Sequence, residues 1–227
     1  YTKKMWGVHP RELPASVLQR LPVRFNYDDN YFSDRFQGIP EEGYTELIRR
    51  LLDHPAIEVR LQEPMDPANS TDFDHVFWSG PLDGYFGYRL GRLGYRTLTF
   101  ERIDAEGDYQ GGPVVNYTDE AVPHNRVFEY KHLTPWEQHD LTCAFKQFSK
   151  ATEPGDTPYY PLRLVDDKAL LWRYAELANQ QQGVTFVGRL GTYRYLDMHV
   201  CIGEALDTAA RFLDHDLRSL LDVADPE

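Results

Sequence analysis

The chain has 227 residues, with 36 acidic side chains against 24 basic ones and a formal net charge of −12. That length suits one large domain or two small ones. The acidity argues against a nucleic-acid surface, which needs basic patches, and no apolar run reaches membrane-spanning length. Cys143 and Cys201 are far apart and form no metal-ligand spacing, so a reducing, cytoplasmic setting is expected. There is no signal-peptide pattern, and the opening "YTKKMW" reads as the middle of a longer chain.

In chain order, "HPRELPASVLQRL" reads as a short helix stopped by Pro22 and followed by an extended "VRF". "NYDDNYFSDRFQGIP" is a polar-aromatic loop rich in turn residues. "EEGYTELIRRLLD" has apolar residues at helical spacing behind an acidic start. "AIEVRL" and "DHVFWSG" read as strands, and "PLDGYFGYRLG" as a short helix opened by Pro81 and closed by Gly91. "YRTLTFERI", "GPVVNYTD", "NRVFEYKHL" and "LTCAFKQFS" are further strands, and their short connections predict an antiparallel sheet. In "NRVFEYKHL", alternation puts Arg126, Phe128 and Tyr130 on one face.

Near the C-terminus, "DKALLWRYAELANQQQG" is a helix ended by Gly183, "VTFVGRL" a short strand, and "MHVCIGEALDTAARFLDHDL" a second helix. This run belongs to a parallel α/β layer, whose other strands are not evident in the sequence. The predicted fold class is therefore α+β with an α/β C-terminal part. The expected division is a helical and loop region at 1–55, an antiparallel sheet domain at 56–165, and a helix–strand–helix unit at 166–227.

The turn "GRLGTYRYLDMH" follows the last strand, where ligands of α/β layers usually sit against the next helix's N–H groups. Arg189 there suits a phosphate or carboxylate. Asp197 is open to a helix N-cap role, and Tyr193 and Tyr195 to plain packing. The 15 tyrosines fit sugar or flat-cofactor binding as well as a β-rich core. The sequence holds no G-x-S-x-G, zinc spacing, P-loop or G-x-G-x-x-G. His199 is read as a non-ligand, His132 as a surface or core residue of a strand, and no metal site is expected.

Eight segments in order are "YTKKMWG", "LPASVLQRLPVRFNYDDNYF", "GIPEEGYTELIRRLL", "GPLDGYFGYRLGRLGYRTLTFE", "VVNYTD", "NRVFEYKH", "EPGDTPYYPL" and "GRLGTYRYLDMH". Together they resemble the UDP-galactopyranose mutase family over nearly the whole chain. The resemblance implies an FAD domain, a helical domain and an antiparallel sheet domain, with this chain running from within the helical domain onward. It implies interconversion of UDP-galactopyranose and UDP-galactofuranose, an isomerisation for cell-wall polysaccharide. Catalysis would be covalent, through N5 of reduced FAD. A homodimer is also implied.

Carried over by motif, Arg20 and Arg126 would hold the diphosphate. Tyr31, Asn116, Tyr160 and Tyr195 would contact it, and Trp6 would line the sugar pocket. Arg189, Leu196, Asp197 and Met198 would lie against FAD. Met5 replaces the Gln usual in the family, and Trp78 and Ser79 replace its Tyr and Thr. Two alternatives stand beside this reading: an amine-oxidase-like FAD enzyme, and a non-catalytic sugar-nucleotide-binding fragment.

Overall fold

In the computed structural model, residues 2–13, 25–28, 30, 32–164 and 167–220 are described. The fold is mixed α and β, built on a five-stranded sheet and a two-stranded one. The larger sheet consists of β2 (Tyr95–Glu106), β3 (Val114–Asn116), β4 (Arg126–Glu129), β5 (Leu141–Ala151) and β6 (Tyr160–Pro161), in the order β3-β4-β5-β2-β6. All its pairings are antiparallel. Its spine is the β2–β5 pair, in register from Arg96↔Ala151 to Glu106↔Leu141. The smaller sheet pairs β1 (Val76–Trp78) in parallel with β7 (Val184–Phe186). "DHVFWSG" is thus a strand, but it belongs with β7 and not with the antiparallel strands, so the partner missing from the sequence reading lies inside the chain.

Three local expectations are corrected. "AIEVRL" forms no strand, and its residues are exposed; alternation alone cannot hold a strand without a partner. β4 ends at Glu129, and Tyr130–Leu133 turns as a 3-10 helix, so His132 is not in a strand. The Tyr130 ring still stacks on Phe128, with centroids 5.8 Å apart and planes 4° apart. Of the expected helix at 9–21, Pro10–Glu12 is a single 3-10 turn, and positions 14–21 lie outside the described residues.

The helices are α1 (Thr2–Trp6), α2 (Gly43–Leu51), α3 (Leu82–Tyr85), α4 (Asp167–Asn179), α5 (Gly188–Gly191) and α6 (Met198–Leu213). Two cores result. One joins α3, α4 and β7 around Leu82, Tyr85, Leu171, Tyr174, Phe186 and Tyr193. There the buried Tyr174 hydroxyl donates to the Gly91 carbonyl at 2.6 Å and accepts from the Leu90 N–H at 3.1 Å, satisfying its polar end as a buried tyrosine must. The other sets α1 on the large sheet through Met5, Trp6, Leu13 and Leu98. Two apolar stripes stay exposed: Tyr44, Ile48 and Leu51 on α2, and Met198, Ile202 and Leu206 on α6. No described helix is long and apolar enough to cross a membrane.

Candidate functional site

The first helix is only five residues long, too short to stand alone, and hydrogen bonds to the sheet and its β3–β4 connection hold it. Lys4 donates to three carbonyls of the β3–β4 connection: Tyr117 at 2.7 Å, Asp119 at 3.0 Å and His124 at 2.7 Å. From β2, the buried Arg96 donates through Nε to the Met5 carbonyl at 3.1 Å and to Ser149 Oγ at 3.0 Å. Ser149 donates to the same carbonyl at 2.7 Å. Gly7 closes the helix at φ +75°, where an added Cβ would come within 2.6 Å of the Arg96 guanidinium. The Met5 sulfur accepts from Asn125 Nδ2 at 3.3 Å, so the residue that departs from the family pattern is itself engaged.

These restraints place Trp6 against two tyrosines from distant segments. Its ring meets Tyr195 edge-on, with centroids 5.1 Å apart and planes at 88°, and Tyr160 at 6.1 Å. Tyr160 and Tyr195 meet edge-on at 5.1 Å. Arg189 lies over both phenols, its Cζ 5.2 Å from the Tyr160 centroid and 5.0 Å from that of Tyr195. It also donates through Nε to the Leu196 carbonyl at 3.0 Å and through Nη1 to that of Tyr159 at 3.4 Å. Arg126 is half-buried, with Cζ 5.5 Å from the Phe128 centroid. Burial pushes its pKa down, and the nearby Tyr160 and Tyr195 oxygens pull it back up; a guanidinium stays charged under such a shift.

Of the residues expected at a site, the structure thus groups Trp6, Tyr160, Tyr195, Arg189 and Arg126. Asn116 stands opposite Arg126 in register on the edge strand, exposed. Leu196 contributes its carbonyl to Arg189. Asp197 occupies the N-cap position of α6 but makes no side-chain capping bond, and Met198 opens that helix exposed to solvent. Arg20 and Tyr31 lie outside the described residues.

Residue-level reading of the sequence missed Arg96 and Lys4. The signal for Arg96 was present: alternation in "YRTLTF" sets it on one face with Leu98 and Phe100, and a cation on an apolar face needs partners. A cavity of about 450 Å³ lies elsewhere, between α4, β7 and α6, lined by His75, Thr185 and Arg211 among others. It contains none of the grouped aromatic side chains. Asp108, Glu129 and His132 gather their ligand atoms within 4.8 Å, but Glu129 already accepts from the Tyr109 and Gln110 amides at 3.0 and 2.8 Å and from the Thr142 hydroxyl at 2.6 Å. That carboxylate fastens a loop.

An aromatic corner of the buried Trp6 and the partly buried Tyr160 and Tyr195, flanked by guanidinium groups, is chemically suited to a flat or sugar-like group beside an anion. The family described as GLF, UDP-galactopyranose mutase, matches residues 1–195. The chain belongs to the UDP-galactopyranose mutase family. It is 54% identical over 213 residues to a probable UDP-galactopyranose mutase of Klebsiella pneumoniae, covering 94% of this chain and 56% of that protein. It is 49% identical over 223 residues to a dTDP-fucopyranose mutase of Escherichia coli, covering 95% and 59%. A UDP-galactopyranose mutase of Mycoplasma pneumoniae is 34% identical over 94% of the chain and 57% of its own length. The chain therefore spans somewhat over half the length of these relatives. Among solved structures, reduced UDP-galactopyranose mutase shares the fold at TM-score 0.53 and 13% identity, over 68% of this chain and 44% of that one.

Proposed function

We propose that this chain supplies the substrate-facing part of a flavin-dependent mutase that interconverts UDP-galactopyranose and UDP-galactofuranose. The observation carrying the reading is Arg189 lying over the Trp6–Tyr160–Tyr195 corner, with Arg126 within electrostatic reach of the same two tyrosines. The reaction is an isomerisation. The bond from the anomeric carbon to the diphosphate breaks, the sugar ring opens and recloses through a different hydroxyl, and the diphosphate returns with no net change of oxidation state. FAD, when bound in reduced form, supplies the nucleophile toward the anomeric carbon.

The chain's own residues do the rest. Arg126 carries the negative charge that grows on the departing diphosphate, which a preorganised cation does without reorganising, and Arg20 is proposed as the second cation. Tyr160, Tyr195, Tyr31 and Asn116 offer hydroxyl and amide donors to the same group. Trp6 is a rigid wall for the sugar.

The residues present fit one side of an FAD site. α6 begins at Met198 with Asp197 at its N-cap position, and Leu196 and Arg189 border it. The sequence has no G-x-G-x-x-G turn for the cofactor's pyrophosphate, so we assign these residues one wall of the cofactor and no more. In this reading, residues 1–55 belong to the helical and loop region, 56–165 mainly to the sheet domain, and 166–227, with β1, to the cofactor domain. A homodimer in the cytoplasm is the expected form.

A second reading is favoured by the relative named dTDP-fucopyranose mutase, at 49% identity: the same ring chemistry on a dTDP-linked 6-deoxy sugar. Chromatography of products from UDP-galactofuranose and dTDP-fucofuranose, incubated with the complete reduced protein, tests both. Conversion of the UDP sugar supports the first reading, conversion of only the dTDP sugar the second, and conversion of neither refutes mutase activity.

A further inference from the structure

Two non-glycine residues of the described chain hold left-handed backbone beside the aromatic corner: Tyr193 at φ +50° and Arg163 at φ +52°. They belong to different segments, one just before Tyr195 and the other just after Tyr160, and they meet at a single oxygen. The Tyr193 side chain is fully buried, its ring edge-on to Tyr95 with centroids 5.2 Å apart. Its hydroxyl proton is shared between the Gly94 carbonyl at 2.7 Å and Asp167 Oδ2 at 3.1 Å. The same oxygen accepts from the Arg163 N–H at 3.4 Å, and the Gly94 carbonyl also takes the Leu162 N–H at 2.9 Å.

Space for this junction depends on Gly94, where an added Cβ would stand 2.9 Å from Asp167 Oδ2 and 3.2 Å from Leu162 Cδ1. Left-handed backbone at a bulky residue survives only where surrounding contacts over-determine it. Here those contacts tie together the start of β2, the segment leaving β6, the start of α4 and the turn carrying Arg189 and Tyr195.

We propose that Tyr193 is a positioning residue, its hydroxyl fixing the spacing between Tyr160 and Tyr195 and so shaping the diphosphate contact. The inference rests on the nucleotide-sugar reading above. Tyr193 touches no substrate. It acts through the two tyrosines, one on each of the segments it joins, whose rings meet at 5.1 Å. Burial, followed by the Asp167 charge, pushes its phenol well above the usual range, so it remains a donor at every working pH.

The test is calorimetric titration of the complete, flavin-loaded protein with UDP and, separately, uridine. Tyr193→Phe removes one oxygen and keeps the ring in its hole. UDP affinity should fall about tenfold, as expected when a buried hydrogen-bond junction is opened, while uridine affinity should change less than about twofold. A role in stability alone would weaken both ligands alike or neither. Gly94→Ala, which presses on Asp167 and Leu162 from the other side, should reproduce the selective loss, and it carries the test if the phenylalanine variant fails to fold. Asp167→Asn keeps an acceptor and should retain the wild-type ratio. An unchanged UDP-to-uridine ratio in folded Tyr193→Phe or Gly94→Ala protein overturns the inference. Wild-type protein that binds no UDP overturns the nucleotide reading beneath it, and that arm is read before any variant.

Discussion

Replacing Arg126 by alanine separates a binding-site arginine from a structural one. The side chain is half-buried, packs on Phe128, and lies within electrostatic reach of Tyr160 and Tyr195. For stability, two effects oppose each other. Loss of the cation–π contact costs about 0.5–1 kcal/mol, while removal of a charge that burial disfavours returns a comparable amount. The net should lie within about 1 kcal/mol, or roughly 2–4 °C in Tm for a protein of this size. For catalysis nothing offsets the loss. One fixed charge on a leaving diphosphate contributes on the order of 3 kcal/mol, roughly a hundredfold in rate. Arg126→Lys should recover only part, since an ammonium cannot reproduce the guanidinium fork. Arg102 is the control: it is exposed on β2, paired with Asp104 at 2.8 Å, and its alanine variant should turn over normally. Product chromatography on the flavin-loaded protein, run beside thermal melts, decides the matter. Normal turnover in a well-folded Arg126→Ala protein would remove this residue from the site and undo the argument from its reach to Tyr160 and Tyr195.

Glu129→Gln should lower stability by about 2 kcal/mol, because the new amide group faces two backbone N–H donors. Burial pushes the Glu129 carboxyl up, but the Thr142 hydroxyl and the Tyr109 and Gln110 amides outweigh it and hold the folded pKa below the ordinary 4.5. Its contribution is therefore complete above pH 4.5 and lost as pH falls through the folded value, so melts of the Gln variant should show a shallower acid limb. Gly191→Ala would place a Cβ 2.5 Å from the Trp78 carbonyl. It should cost on the order of 2 kcal/mol in urea unfolding and weaken UDP binding with it, since α5 carries Arg189; unchanged stability would mean that β1 and α5 are not held as described.

What could be read from the sequence followed from how local each signal is. β2 and β5 were plain because alternation over many residues leaves one solution. The parallel pairing of Val76–Trp78 with Val184–Phe186 was not, because a three-residue apolar run carries no address for a partner over a hundred residues away. "AIEVRL" misled for the opposite reason: its pattern was good and its pairing absent. At the site, the family resemblance named Trp6, Tyr160 and Tyr195 separately, and only tertiary structure brings their rings together. Tyr193 was open to plain packing, and its left-handed backbone and shared proton are invisible to any pattern of residue types.

The charges raise a last question: how a chain of net charge −12 could attract a diphosphate. Its arginines are sorted by the company they keep. On the surface, Arg49 and Arg50 pair with Glu46, Arg60 with Glu58, Arg102 with Asp104, and Arg211 with Asp207 and Asp216; such pairs cancel locally and contribute little to stability. Beside the aromatic corner Arg194 pairs with Glu204 in the same way, but two other arginines there have neutral acceptors. Arg96 is held by a carbonyl and a hydroxyl, and Arg189 by two carbonyls and two phenol faces. Neutral acceptors fix the direction of a guanidinium and leave its charge unspent. In the proposed function Arg126 on β4 joins them, and such a corner would concentrate positive potential inside an acidic protein, its aromatic walls strengthening the field toward an incoming anion. Net charge thus excludes a broad polyanion surface and is compatible with one focused anion site. It also makes a forecast: UDP affinity should fall as salt is raised from 0.05 to 0.5 M, but by much less than the multi-contact dependence of a nucleic-acid binder. Affinity indifferent to salt would mean that these guanidinium groups do not face the ligand.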